Sequence, residues 1–181
     1  MDFDIPKDLQ DYLSVLDAFI EAEIKPLENE NDNIRFFDHR REWARTDFEH
    51  GGLPRREWEL LLREASMRAD KAGHWRFSAP KKYGGKDGSN LWMAVIRDKF
   101  AAKGLGLHND LQNEHSIVGN FPFVAMFDQW GTEEQKRYYL PRLAKGLEIP
   151  CFALTSPSGL SSAGAGTSAG QFATRVGRRK P

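Results

Sequence analysis

Apolar side chains recur at three- and four-residue spacing near the start of the chain, between Pro6 and Asn29. The apolar positions are Leu9, Tyr12, Leu13, Leu16, Phe19, Ile20, Ile24 and Leu27. This spacing places them on one face of a helix, and proline is common in a first helical turn. The pattern predicts an amphipathic helix of about five turns that ends in the polar stretch 29–33.

Two further apolar stripes predict helices on either side of a long loop. The first follows Pro54 and consists of Trp58, Leu61, Leu62, Ala65, Ala69 and Ala72, with Gly73 as the expected left-handed C-terminal residue. The second consists of Leu91, Trp92, Val95, Ile96 and Phe100, and either Ser89 or Asn90 can cap its helix. The loop over residues 74–88 is long for a compact domain, which indicates a functional connection.

More helix is expected after residue 106. Residues 107–119 predict a helix with a break, and Asn120 with Pro122 would begin a short apolar helix. Thr132 and Gln135 have the spacing of a capping box, in which each side chain accepts a hydrogen bond from the other residue's backbone. A last helix is therefore predicted from this box to residue 146.

The pattern changes near residue 149. Residues 149–157 contain a short apolar run bounded by proline and serine, as a strand would, but no second strand follows to pair with it. Residues 158–181 are rich in glycine, serine and alanine and hold too few apolar side chains to offset the entropy of ordering. The predicted fold is all-α: a helical domain over 1–148, one orphan β-strand over 149–157 and a disordered tail over 158–181.

Composition narrows the class of protein. Lysine and arginine number 26, as do aspartate and glutamate, so no overall field attracts nucleic acid and none is expected as a partner. No apolar run approaches the roughly 18 residues of a membrane span. Cys151 is the single cysteine, and no leader segment is recognisable. These features predict an intracellular protein, cytoplasmic by default, with a mitochondrial or peroxisomal location left open.

Candidate chemistry is sparse. The five histidines, His39, His50, His74, His108 and His115, lack the spacing of metal ligands, so no metal site is predicted. No phosphate-binding or nucleophile motif occurs, and no catalytic residue is assigned. The polar cluster 109–115 has two open interpretations, a solvated face or a pocket lining.

Three motifs together resemble the N-terminal helical domain of the acyl-CoA dehydrogenases. They are APKKYGG at residues 79–85, GTEEQK at 131–136 followed by YLP at 139–141, and CFALTSP at 151–157. The resemblance covers residues 1–157. It implies an FAD-dependent enzyme that removes two hydrogens across the α and β carbons of an acyl-CoA thioester. It also implies a middle β-domain and a C-terminal helical bundle in the complete protein.

The resemblance implies two groups of site residues. Phe152, Leu154 and Thr155 match the positions beside the flavin ring, and Ser156 closes the same strand. The region 112–122 resembles the helices that wall the acyl end of the substrate cavity, and the candidates there are Asn113, His115 and Phe121. The alternative for Phe121 is an ordinary position in the hydrophobic core.

The chain departs from the family after residue 157. The family continues with Gly-Ser-Asp, whereas Ser158, Gly159 and Leu160 stand here. A truncated chain is expected, through a shifted reading frame or as a natural short isoform, that is inactive and does not retain FAD. The alternative function is a non-catalytic helical interaction module, which could self-associate through apolar surface that the missing domains would cover.

Overall fold

The computed structural model describes residues 4–38, 42–113, 115–148 and 150. One compact unit spans Met1–Leu147. Its described part consists of six α-helices, short 3₁₀ and π segments and one hairpin of two-residue strands. The all-α fold class is therefore confirmed for the helical domain. The predicted orphan strand, apart from Pro150, and the predicted tail lie outside the described residues and stay predictions.

The first predicted helix is present, and one π-helical turn interrupts its α-helical hydrogen bonding. Helix α1 spans Lys7–Phe19, a π-helical turn follows at Ile20–Ile24, and α2 spans Lys25–Asn29. The N–H of Lys25 donates to the carbonyl of Ile20, five residues earlier, directly before a proline that has no N–H to donate. The buried side chains on these segments are Leu9, Leu13, Leu16, Phe19, Ile20, Ile24 and Leu27, as the periodicity predicts.

A small hairpin precedes the next helix and was not predicted. Strands β1 (Thr46–Asp47) and β2 (Leu53–Pro54) pair antiparallel, with Thr46 opposite Pro54. Gly51 and Gly52 turn the chain between them with φ of 92° and 71°. Because Pro54 belongs to this strand pair, α3 begins later than expected and spans Arg56–Lys71. The expectation of Gly73 in a left-handed conformation is confirmed, with φ of 76°.

The remaining helices follow their predicted caps with one exception. Helix α4 spans Asn90–Ala102 and is capped by Ser89, α5 spans Pro122–Trp130, and α6 spans Glu133–Ala144 behind the predicted Thr132–Gln135 capping box. The exception is Asn120, because the residue before α5 is Phe121 in a left-handed conformation without a side-chain cap. Where the structure describes residues 107–113 and 115–119, they form a 3₁₀ segment at Leu107–Gln112 and then bends and turns.

The buried side chains of the described residues form one hydrophobic cluster that joins all of these helices. Its largest fully buried members are Phe100, Phe121, Leu9, Leu16, Ile20, Ile24, Ile96, Leu107 and Leu111. Among the described residues, none of the helices has the length and apolarity needed to span a membrane.

Candidate functional site

Two irregular segments carry most of the predicted features, and both contact α5 or its N-terminal approach. We call residues 79–88 the glycine loop and residues 113–121 the connecting segment. The first contains a motif of the family resemblance, and the second contains the three candidate cavity residues. The hydrogen bonds described below hold both segments to the helical core.

The glycine loop folds back on its own backbone. The N–H of Gly85 donates to the carbonyl of Pro80 at 3.1 Å, and the N–H of Asp87 donates to the carbonyl of Ala79 at 3.1 Å. A Cβ atom on Gly85 would lie 1.8 Å from the Ala79 oxygen, so a side chain cannot be accommodated there without moving backbone. Gly84 has φ of 81°, which is the left-handed region. The paired glycines therefore serve the close approach of two backbone segments.

Arg76 connects this loop to α3. Its Nε and Nη2 donate to the two carboxylate oxygens of Asp70 at 2.7 and 2.9 Å, and its Nη1 donates to the carbonyl of Tyr83 at 3.1 Å. The paired guanidinium–carboxylate geometry is stronger and more directional than a single hydrogen bond. Arg76 thus fixes the middle of the glycine loop relative to the end of α3.

Asp128 on α5 holds the other side of the loop. Lys82 Nζ lies 2.7 and 2.6 Å from its two oxygens, and the Tyr83 hydroxyl donates to Oδ1 at 2.5 Å. The Lys82 and Tyr83 donors lower the pKa of Asp128, and the carboxylate in turn raises the pKa of Lys82. We call Lys82, Tyr83 and Asp128 the loop latch, because they join the glycine loop to α5. Asp128 is 46 positions from Lys82 and 45 positions from Tyr83 along the chain.

The middle of the connecting segment is buried and is held through its carbonyl groups. Arg97 Nη2 donates to the carbonyl of Val118 at 2.9 Å, and the Ser78 hydroxyl donates to the carbonyl of Gly119. Residues 115–119 are all buried. Buried carbonyls without donors would cost free energy, so Arg97 and Ser78 satisfy groups that no regular element reaches.

The structure brings two of the three cavity candidates together. The rings of His115 and Phe121 lie edge to face with centroids 5.4 Å apart, and Phe123 follows at 5.7 Å from His115. Phe121 is 1% exposed and has φ of 47°, a conformation uncommon for a bulky residue. Asn113 stands apart on the surface, where its Nδ2 donates to the carbonyl of Asp110 at 3.1 Å.

The predicted flavin-side residues Phe152, Leu154, Thr155 and Ser156 lie outside the described residues. Sequence reasoning missed Arg97, Ser78 and Asp128, which hold the two segments in place. No short-range signal marks them, because each acts on a partner more than twenty positions away. The described residues contain no group of three or more histidine, cysteine, aspartate or glutamate side chains arranged to hold a metal ion.

This arrangement consists of buried aromatic side chains and few reactive groups. The aromatic cluster of His115, Phe121 and Phe123 lies directly before and within the first turn of α5, and the glycine loop is latched to the same helix. Phe121 and Phe123 are part of the hydrophobic core and are 1% and 4% exposed, so they set the packing of the connecting segment from within.

Tyr83→Phe tests the loop latch. The change removes one hydroxyl and leaves the ring and the Lys82–Asp128 ion pair, so it should loosen the glycine loop without unfolding the domain. We expect amide hydrogen exchange in residues 81–88 to become about fivefold faster, while α1 and α3 keep their protection. Tyr138→Phe is a matched control on exposed surface and should change neither region. Equal exchange in Tyr83→Phe and wild type would contradict the latch.

Comparison with known proteins places this sequence in a family. The N-terminal domain model of the acyl-CoA dehydrogenases matches residues 6–147. A probable acyl-CoA dehydrogenase of Bacillus subtilis (strain 168) is 36% identical over 103 residues, which are 56% of this chain and 16% of that protein. An acryloyl-CoA reductase (NADH) of Anaerotignum propionicum is 40% identical over 86 residues, 48% of this chain and 20% of the reductase.

The similarity extends further along the chain in another relative. The short-chain specific acyl-CoA dehydrogenase of Clostridium acetobutylicum is 26% identical over 165 residues, 91% of this chain and 36% of that enzyme. The chain thus spans between 16% and 36% of the length of these three relatives. No solved structure matches it significantly. Because the family model covers most of the chain, including the glycine loop and the capping box, the chain belongs to the acyl-CoA dehydrogenase family through its N-terminal domain.

Proposed function

We propose that residues 6–147 form the N-terminal wall of the acyl-CoA site in an FAD-dependent acyl-CoA dehydrogenase, and that the 181-residue chain alone is inactive. The dehydrogenases of this family remove hydrogens across the α and β carbons of an acyl-CoA thioester. The observation that carries the proposal is the family match over residues 6–147, together with a glycine loop latched to α5. Full-length members use FAD as their cofactor.

The connecting segment supplies the proposed substrate contacts. His115 and Phe121 are adjacent, buried and placed before α5, so their proposed effect on the acyl group is through the packing of this segment. Arg97 positions this segment through the Val118 carbonyl. Asn113 is exposed, so in this chain its contact would be with a part of the ligand that reaches the surface.

The glycine loop does not leave room for a nucleotide at two of its glycines. A nucleotide cradle needs glycines whose missing side chains leave room for the ligand. Here that room is filled by the chain itself: a Cβ atom would lie 1.8 Å from the Ala79 oxygen at Gly85, and 2.2 Å from the ring of Phe77 at Gly88. We therefore propose that this chain does not retain FAD, and that any flavin contact comes from Phe152, Leu154, Thr155 and Ser156.

Purified chain tests both parts of the proposal. FAD titration followed by gel filtration should leave no flavin absorbance in the protein fraction, and acyl-CoA should cause no reduction of an electron-accepting dye. The short-chain specific relative from Clostridium acetobutylicum is the positive control for the dye assay. Bound FAD at one per chain, or turnover above that of free flavin, would contradict the inactivity of the chain.

A non-catalytic helical interaction module is the second candidate. It is favoured by large apolar side chains on the surface, among which Trp130 is 72% and Leu147 is 65% exposed. Such side chains favour contact with another protein or a second copy of the chain. Light scattering after size exclusion distinguishes the candidates, since a clean monomer that binds no hydrophobic dye argues against this one.

A further inference from the structure

Phe121 has a backbone conformation that its side chain and its position both disfavour. Its φ of 47° and ψ of 52° lie in the left-handed region, which bulky residues rarely adopt. It precedes Pro122, and the ring of a proline favours an extended conformation in the residue before it. It also stands at the N-cap of α5, a position that is normally extended. These features all favour the same alternative conformation, an extended Phe121.

The chain on both sides of Phe121 is held by contacts with other elements. The Ser78 hydroxyl donates to the carbonyl of Gly119, two residues before Phe121. Arg97 Nη2 donates to the carbonyl of Val118 at 2.9 Å. On the other side, the loop latch holds the C-terminal end of α5. A strained residue persists only where its surroundings determine its conformation, so these contacts maintain the left-handed form of Phe121.

The Phe121 ring fills space inside the hydrophobic core. It is 1% exposed, and its centroid lies 5.4 Å from that of His115. The same core cluster contains the fully buried side chains of Ile117, Val118 and Val124. A change of φ and ψ from the left-handed to the extended region redirects the Cα–Cβ bond, so the ring would leave its position. Because the surrounding core is apolar, the space left by the ring would accept an apolar chain.

We propose that Phe121 is a gate: an acyl chain takes the place of its ring when Phe121 changes from the left-handed to the extended conformation. The choice of an acyl chain as ligand rests on the proposed function. The structure shows the closed form, so the open form is the minor one without ligand. The apparent affinity for the acyl chain is then reduced by the fraction of molecules that are open. A change that weakens only the closed form therefore raises the affinity.

Decanoate binding to the 181-residue chain tests the gate without flavin or activity. In NMR spectra, decanoate should shift the methyl signals of Val118 and Val124. The Cα and Cβ chemical shifts of Phe121 report its backbone conformation, and they should move from left-handed toward extended values as decanoate is added. Binding with Phe121 still left-handed, or no binding of decanoate, would overturn the proposal.

Ser78→Ala distinguishes a gate from an ordinary core residue. The variant removes the donor to the Gly119 carbonyl in the closed form, so the open fraction and the affinity for decanoate should both rise about tenfold. At an ordinary core position, the lost hydrogen bond would lower stability without any gain in affinity. Ser66→Ala is the matched control, because it removes a half-buried hydroxyl that donates to the Leu62 carbonyl within α3. This control should bind decanoate like wild type.

The outcome for Ser78→Ala is read together with the amide protection of α1 and α3. Equal or weaker binding than wild type with that protection intact, or an equal gain in Ser66→Ala, would overturn the gate. If Ser78→Ala loses the protection, the Phe121 chemical shifts of the wild-type chain decide the question. The gate can fail while the chain is still inactive and free of FAD. Conversely, bound FAD or dye reduction would contradict the proposed function and leave the decanoate result unchanged.

Discussion

Gly85→Ala is expected to lower the free energy of unfolding by about 3 kcal/mol, the upper part of the range for inserting an atom into packed structure. Gly85 does not have a positive φ, so alanine meets no conformational penalty there. Its Cβ would lie 1.8 Å from the Ala79 oxygen and 2.8 Å from the Ala79 Cα, and both atoms belong to backbone that the loop hydrogen bonds hold in place. The glycine loop must open to accept the methyl group.

Gly73→Ala is the control for this substitution. Gly73 has φ of 76° and open space where its Cβ would be. Alanine there should lower the free energy of unfolding by roughly 1 to 2 kcal/mol, through backbone conformation alone. Urea unfolding of the three proteins gives both values. If Gly85→Ala proves no more destabilising than Gly73→Ala, the close backbone contact in the loop is not present in solution.

Acid should destabilise the domain through His74, which is 3% exposed between α1 and the start of the loop. The Tyr12 hydroxyl lies 3.1 Å from Nδ1 of His74. The centroids of the Phe19 and His74 rings are 5.0 Å apart. Burial, with a smaller contribution from Lys86, lowers the pKa of His74 from 6.5 to about 4. Burial also raises the pKa of Tyr12, so its hydroxyl keeps the proton within hydrogen-bond distance of neutral His74.

The direction of the pH effect follows from proton uptake. The unfolded chain protonates His74 near pH 6.5, whereas the folded chain resists protonation until about pH 4. Stability from this group is therefore complete above pH 6.5 and is lost as the pH falls toward 4. The expected loss between pH 7 and pH 4 is about 3 kcal/mol. Urea unfolding at the two pH values measures it.

A double variant isolates the contribution of His74. Tyr12→Phe/His74→Phe removes the titrating group and leaves no buried hydroxyl without a partner, so the fold should persist. Its stability should fall by about 3 kcal/mol less than that of wild type between pH 7 and pH 4. Tyr12→Phe alone keeps the histidine and should retain the acid sensitivity. A double variant as acid-sensitive as wild type would show that other groups cause the effect.

Local signals predicted most helices well. The capping box is present, with the N–H of Thr132 donating to Gln135 Oε1 at 2.9 Å and the N–H of Gln135 donating to Thr132 Oγ1 at 3.2 Å. Ser89 was one of two predicted caps, and its hydroxyl accepts from the N–H of Trp92. These signals are reliable because each partner is three residues away, so the same geometry recurs in any helix start.

The wrong boundaries arose where the partner is distant or the backbone is unusual. Pro54 was expected to begin a helix but pairs with Thr46 across a hairpin. Strands of two residues are too short to produce an alternating hydrophobic pattern, so the sequence does not predict them. Asn120 was expected as a cap, yet Phe121 takes the position before α5 in a left-handed conformation. Burial of the Phe121 ring in the core accompanies that conformation.

The amino-acid pattern alone was enough to establish the helical class, the core-facing stripes and the family resemblance, since these depend on periodicity and short motifs. The contacts of the candidate site needed three-dimensional information. Asp128 meets Tyr83 from 45 positions away, and Arg97 reaches Val118 across 21 positions. Such pairs depend on how helices pack against each other, and a single sequence holds no local trace of that packing.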